Sequence, residues 1–275
     1  MPELPEVETI RKTLERFVLN KQIEDITVHW PKIIKQPDDI DHFKQLLIHQ
    51  TFQSIERRGK FLLFYLDDVV LVSHLRMEGK YRVVEAAEPI TKHTHVIFHF
   101  TDSLELRYDD VRKFGTMHVF PIGRELQEKP LLQLGPDPFE AAYTFDYLYD
   151  KLQRTTRVIK AALLDQTIIA GLGNIYVDET LFLAQVHPER RANTLSEAEV
   201  KRIYEQASIV LSKAVAQGGT TIRSYVDGEG EMGMFQQQLF VYGQEEKACQ
   251  HCGDTIEKMK TAARGTHICP SCQRL

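Results

Sequence analysis

All four cysteines of this 275-residue chain lie in its last 27 residues, as Cys249-x2-Cys252-x16-Cys269-x2-Cys272. Two CxxC turns let a pair of thiolates from each side converge on one ion, and this spacing is a strong signal for tetrahedral Zn(II). A module of roughly 40 residues has too little core to fold by burial alone, so the ion would supply what is missing. Two disulfides are the alternative, and they need an oxidising compartment. The first twenty residues argue against one: Glu3, Glu6, Glu8 and Glu15 stand among Arg11, Lys12 and Arg16, with no apolar stretch or small-residue cleavage site. The expectation is a cytoplasmic protein with one structural Zn(II) on Cys249, Cys252, Cys269 and Cys272. His251 and His267 are read as non-ligands, because four thiolates complete the shell.

The rest of the chain is long enough for at least one large domain besides this tail. Its longest apolar run is six residues, Phe61 to Leu66, against about 20 needed to cross a bilayer. No membrane partner is expected. The start reads as a helix from about Pro5, with Val7, Ile10, Leu14 and Phe17 at helical spacing and Pro5 suited to a first helical position. From about residue 23 to 120 short β-rich stretches follow. Val96, Phe98 and Phe100, then Leu104, Leu106 and Tyr108, alternate around a Thr101-Asp102-Ser103 turn, the pattern of a sandwich or barrel. Breakers gather between Pro121 and Pro138 and mark a linker. Beyond it the period is helical, ending in a stretch with a Ser196/Glu199 capping box and a Gly218-Gly219 stop. A Gly-rich segment, a short β-like LFVYG and the cysteine tail complete the chain. The fold class expected is α+β and multidomain.

Net charge is −5, from 34 Lys+Arg and 39 Asp+Glu, which argues mildly against a nucleic-acid partner. The balance shifts from −6 over residues 1–150 to +1 over residues 151–275. Any nucleic-acid binding must therefore come from a local face. Lys258, Lys260, Arg264 and His267, between the knuckles, would give a zinc-stapled hairpin a basic tip; a solvated charged face is the equal alternative.

The second residue carries the most specific chemistry. If Met1 is removed, Pro2 becomes a secondary amine of reference pKa about 7.7 to 8.0, partly neutral and nucleophilic near pH 7. An adjoining helix N-terminus would lower that value further. A secondary amine attacking a sugar carbon gives a cationic iminium with no N–H to lose, an electron sink that drives elimination of a 3′ phosphate. Glu3 is placed to supply a proton.

The stretches PELPEVETIR, LRMEGKYR, DVRKFGT and LLDQTIIAGLGNIYVDE, with the terminal cysteine module, resemble the formamidopyrimidine-DNA glycosylases, the bacterial 8-oxoguanine glycosylases, in order and over essentially the whole chain. The resemblance implies an N-terminal β-sandwich with an N-terminal helix over residues 1–135, an all-α helix-two-turn-helix domain over 136–236, and a zinc-finger β-hairpin over 237–275. It implies a bifunctional enzyme that excises oxidised purines from duplex DNA and cuts the strand by β,δ-elimination, acting as a monomer at the bacterial nucleoid.

By the same resemblance Pro2 is the Schiff-base nucleophile, Glu3 the acid, Lys60 a catalytic lysine, Glu6 a support, and Met77, Arg112 and Phe114 the residues that fill the hole left by an extruded base. Asn174 and Arg264 would hold phosphate, Arg264 counting also with the catalytic residues and Lys60 also with the DNA contacts, and His74, Tyr242 and Lys258 would be further backbone contacts. Gly171 and Gly173 would let the backbone approach a phosphate at a helix N-terminus. A loop over about residues 218–236 would read the flipped base through Thr221, Ile222, Arg223, Ser224 and Tyr225, with Glu78 as another base contact. Without the resemblance, Lys60 reads as a surface lysine, Met77 and Phe114 as core, and the Gly-rich loop as a linker. The rivals are an endonuclease VIII-type enzyme for oxidised pyrimidines, a non-catalytic DNA-structure binder and a zinc-stabilised protein-interaction module.

Overall fold

The computed structural model describes residues 2–220 and 234–275, in two compact units. Among the described residues, unit 1 comprises Pro2 and Glu6–Gln133; unit 2 comprises Glu3–Pro5, Leu134–Thr220 and residues 234–275.

Helix α1 (Leu4–Val18), in unit 1 from Glu6 onward, buries Val7, Ile10, Leu14 and Val18 there along one stripe, as its apolar spacing dictates. Nine strands follow: β1 (Ile23–Val28), β2 (Ile34–Gln36), β3 (Ser54–Arg58), β4 (Phe61–Tyr65), β5 (Val69–His74), β6 (Lys80–Glu85), β7 (Thr94–Phe100), β8 (Leu104–Asp109) and β9 (Thr116–Pro121), with helix α2 (Ile40–Leu47) between β2 and β3. They form a four-stranded sheet, β1-β7-β8-β6, and a five-stranded sheet, β2-β9-β5-β4-β3, antiparallel except for β2 against β9. Ile26, Val96, Phe98, Leu106 and Tyr108 from the first sheet share one core with Ile55, Leu62, Phe64, Leu71, Met117 and Val119 from the second. That is a β-sandwich. The expected pairing about Thr101–Ser103 is present, with Phe98 opposite Leu106.

Unit 2 holds α3 (Phe145–Gln153), α4 (Ile159–Leu163), α5 (Asn174–Leu183) and α6 (Glu197–Ala216), then the hairpin β10 (Glu257–Thr261) and β11 (Arg264–Ile268). Ser196 and Glu199 form the capping box of α6, worth about 1 kcal/mol for the cap residue. Helix α5 is buried from Ile175 to Phe182, including Asp178 and Glu179, and so forms the unit's axis. No helix among the described residues is long and apolar enough to cross a membrane.

The LFVYG segment is not a strand. The Glu179 carboxylate accepts the backbone N–H groups of Phe240 (2.8 Å), Val241 (2.9 Å) and Tyr242 (2.9 Å). Three successive amides converging on one carboxylate need a curled backbone, which a ladder does not allow.

Candidate functional site

Pro2 is buried in unit 1, and Glu6, in the first turn of α1, is 6% exposed. The β3–β4 hairpin is tied to this helix by Arg57, which donates to Glu8 Oε2 (3.1 Å) and to the Gly59 carbonyl (3.0 Å). Gly59, at φ 56°, and Lys60 make the turn between β3 and β4, which begins at Phe61. Lys60 is 5% exposed, so the surface-lysine reading fails: the hairpin draws the residue into the fold.

Phe61 pairs with His74 across β4 and β5, their rings meeting edge to face at 4.4 Å. Burial first, then the charges of Arg76, Lys60 and His118, push the His74 imidazole down to about 3. The Arg76 N–H donates to His74 Nδ1 (2.9 Å), so the ring proton sits on Nε2. A neutral N–H donor of this kind can bind phosphate without titrating near neutrality. The unfolded-state value is about 6.5, so between roughly pH 3 and 6.5 the unfolded chain binds the extra proton and stability rises with pH. The contribution is complete above that window and lost as pH falls through it. Replacing His74 with Gln is expected to flatten the acid limb of a stability profile taken by denaturant titration at several pH values.

Met77 and Glu78 occupy the turn after β5, both half-buried, and Arg112 and Phe114 the turn after β8. Phe114 is 51% exposed, which excludes it from the core, and the Arg112 guanidinium lies 4.7 Å from its ring centroid. Beside it an open cleft of about 500 Å³ is lined by Trp30, Lys32, Lys35, Arg76 and Lys113, with no carboxylate among the lining residues. Here is a local basic face of the kind that net charge conceals.

In unit 2 the first turn of α5 is built around Glu3. Its carboxylate, 3% exposed, accepts N–H donors from Gly173 (2.8 Å), Ile175 (3.0 Å) and Tyr176 (3.4 Å). This corrects the expected role of the glycines. A Cβ on Gly173 would fall 2.2 Å from Glu3 Cδ, and one on Gly171, at φ +98°, 2.4 Å from Leu4 Cδ1. The close approach they permit is of the chain's own N-terminus: the Gly173 N–H goes to Glu3 and the Gly171 N–H to Gln166 Oε1 (3.0 Å), so neither glycine amide points out to a phosphate.

The Asn174 side chain faces the hairpin, where Nδ2 donates to the Gly265 carbonyl (2.9 Å) and Oδ1 has no hydrogen-bond partner. Arg264 is exposed at the hairpin tip, after Ala262 and Ala263 at φ 51° and 60°. Tyr242 packs against the His267 ring at 4.8 Å, and Lys258 pairs with Glu245 at 2.8 Å. The same Gly265 carbonyl accepts from Lys160 Nζ (3.0 Å), which also donates to Thr266 Oγ1 (2.8 Å) and, as an ion pair, to Asp178 (2.6 Å). Lys160 and Asp178 side chains are both fully buried. Asp178 also accepts from the His267 N–H at 3.0 Å.

The four cysteine Sγ atoms lie within 4.8 Å of one another, with Cys249 to Cys272 at 3.9 Å and Cys252 to Cys269 at 3.4 Å. Tetrahedral Zn–S bonds of about 2.3 Å place sulfurs about 3.8 Å apart, so the donor set fits one zinc ion. The His251 ring packs at an angle against Phe182 (4.8 Å) and edge to face against Phe240 (5.4 Å) instead of joining the cluster.

Three family models match in order: the formamidopyrimidine-DNA glycosylase N-terminal domain over residues 1–117, its H2TH domain over 134–226, and the zinc finger found in FPG and IleRS over 246–275. The formamidopyrimidine-DNA glycosylase of Oceanobacillus iheyensis is 60% identical over 273 residues, covering 99% of this chain and 98% of that protein. The chain belongs to the formamidopyrimidine-DNA glycosylase family. That of Bacillus licheniformis is 56% identical, with both chains fully covered. Among solved structures, the complex of the Lactococcus lactis glycosylase with abasic-site DNA has a TM-score of 0.92 at 40% identity, covering both chains completely. The complex of the same Lactococcus lactis protein with Fapy-dG DNA gives 0.92 at 40%, covering 99% of this chain and 100% of that one.

As a member of this glycosylase family the chain carries one structural zinc. The ion holds the hairpin that bears Arg264 and the Gly265 carbonyl. Chelation is expected to lower DNA affinity at concentrations where the sandwich stays folded; equal affinity before and after chelation, by gel shift with circular dichroism in parallel, would detach the finger from binding. Thr221, Ile222, Arg223, Ser224 and Tyr225 lie outside the described residues. Lys160, Asp178 and Glu179 escaped the sequence reading, although two adjacent acids in the mostly apolar NIYVDETLFL were a signal, since buried acids require partners.

Proposed function

We propose that the chain is a DNA glycosylase with AP lyase activity, excising oxidised purines such as 8-oxoguanine and formamidopyrimidines from duplex DNA as a cytoplasmic monomer. Pro2 is the nucleophile: its nitrogen bonds to the sugar carbon carrying the base as the glycosidic bond breaks, and Glu3 supplies a proton as the sugar ring opens. The iminium formed then accepts the electron pair released when the adjacent carbon loses a proton, expelling the 3′ phosphate; a second elimination expels the 5′ phosphate. The observation that carries this reading is the Glu3 carboxylate, buried, held by three amide donors and one peptide bond from the amine.

Lys60 is assigned as a catalytic lysine near the lesion, His74 to the DNA backbone, Asn174 and Arg264 to phosphate, and Met77, Arg112 and Phe114 to the vacated stack. Glu6 supports the first turn of α1, Tyr242 and Lys258 add backbone contacts, and Glu78 a base contact. The loop residues Thr221 to Tyr225 read the base. The purine assignment is supported by the relatives' name and by the Fapy-dG complex of the Lactococcus lactis protein. Excision from duplexes with 8-oxoguanine opposite cytosine, compared with oxidised-pyrimidine duplexes, tests it. Faster release of the pyrimidine would move the chain to the endonuclease VIII reading.

A further inference from the structure

Two separate turns carry the residues assigned to the vacated stack, and both rest on one buried side chain. Tyr108, on β8, is fully buried, and its hydroxyl occupies the space in which a side chain would begin at two glycines. A Cβ on Gly79 would lie 2.1 Å from that oxygen and one on Gly115 1.7 Å from it. Gly79 is two residues after Met77, and Gly115 directly follows Phe114. The ring is gripped from the core side by Tyr81, edge to face at 5.1 Å, whose own hydroxyl donates to Ser73 Oγ at 2.8 Å.

The neighbouring Asp110, 1% exposed, completes the support. Its carboxylate accepts the backbone N–H groups of Arg112 (2.9 Å), Phe114 (2.8 Å) and Gly115 (2.9 Å), and the Tyr108 hydroxyl approaches it at 3.5 Å. Both turns are also strained at corresponding places. Arg76, directly before Met77, is at φ 54°, and Lys113, directly before Phe114, at φ 59°. Residues with a Cβ stay in the left-handed region only where their surroundings hold them there.

We propose that the Tyr108 hydroxyl and the Asp110 carboxylate form a single footing that fixes the Met77 turn and the Arg112–Phe114 turn relative to each other, so that the three side chains enter the base stack as one preformed wedge. Tyr108 and Asp110 are positioning residues, acting through the tips and not on the lesion. A wedge that is already ordered loses little conformational freedom on insertion, which matters because opening the stack is itself unfavourable. The proposal rests on the assignment of Met77, Arg112 and Phe114 to the stack.

The test is single-turnover excision of 8-oxoguanine from two duplexes: one with the lesion opposite cytosine, and one with the lesion facing an abasic gap, where the lesion is unpaired and costs less to extrude. Asp110→Asn, which keeps the shape but presents a single acceptor oxygen, is expected to slow excision from the paired duplex by about 10- to 100-fold, the scale of an ångström misplacement. On the gapped duplex the loss should stay under about 3-fold on that scale. Tyr108→Phe, which keeps the ring and so protects the fold, should show the same bias in smaller measure. Equal slowing on both duplexes would mean general loss of structure and overturn the footing. So would unchanged rates in both variants while Met77→Ala and Phe114→Ala show the paired-duplex defect. If those two alanine variants show no such defect, the wedge assignment itself falls and the footing with it.

Discussion

Replacing Glu3 with glutamine is expected to abolish base excision while leaving DNA binding within a few-fold of the parent. General acid catalysis by a placed carboxyl contributes about 10² to 10⁴ in rate, and glutamine has no proton to give at that position. The geometry adds a second loss. Two carboxylate oxygens serve Gly173 on one side and Ile175 on the other, and in glutamine one becomes an NH2 that faces an N–H donor. The unmatched pair costs about 1–3 kcal/mol, so unit 2 should also be less stable to denaturant. Single-turnover excision beside a gel-shift titration separates these effects. Normal turnover by Glu3→Gln would remove the carboxyl from the chemistry.

Lys160→Ala is expected to have the largest effect on stability. All three protons of the buried ammonium are used, on Asp178, Gly265 and Thr266. Burial lowers the affinity of Lys160 for its proton, and Asp178 opposes that pull. Removing one partner of a buried pair leaves the other charge without compensation, typically about 3–5 kcal/mol. The same change frees the Gly265 carbonyl that Asn174 also engages, beside Arg264, so phosphate binding should weaken as well. The double variant Lys160→Met, Asp178→Leu separates the two consequences: apolar replacements of similar volume often restore stability, but they supply no donor to Gly265. Hydrogen exchange of unit 2 amides and DNA affinity are the readouts. A Lys160→Ala protein with parental protection would show that the pair contributes nothing.

The architecture was legible wherever a local rule governed the residues. Periodicity marked α1, alternation marked β7 and β8, the Ser196/Glu199 box marked the start of α6, and cysteine spacing marked the finger. Where a distant side chain organised the backbone, the local pattern misled. LFVYG has the composition of a strand, but Glu179, some 60 residues earlier, collects its amides and bends it. Gly171 and Gly173 looked like a phosphate approach because glycine reports only that something comes close; Leu4 and Glu3, nearly 170 residues away, are what comes. Amine chemistry raised Pro2 and Glu3 as candidates, and the resemblance gave them their expected roles. No such chemistry raised Lys60, since no spacing rule distinguishes a lysine drawn into a hairpin from one in water. Phe114 is the converse case, an apolar residue in a β-rich stretch that stands exposed because Asp110 holds its turn.

The most direct test of the central claim is borohydride trapping on a duplex with a single 8-oxoguanine opposite cytosine, followed by peptide mapping of the adduct. A covalent adduct on the nitrogen of Pro2 is predicted, requiring removal of Met1 and formation of the iminium. An adduct on a lysine, or retained binding with no adduct on any lesion duplex, would contradict it.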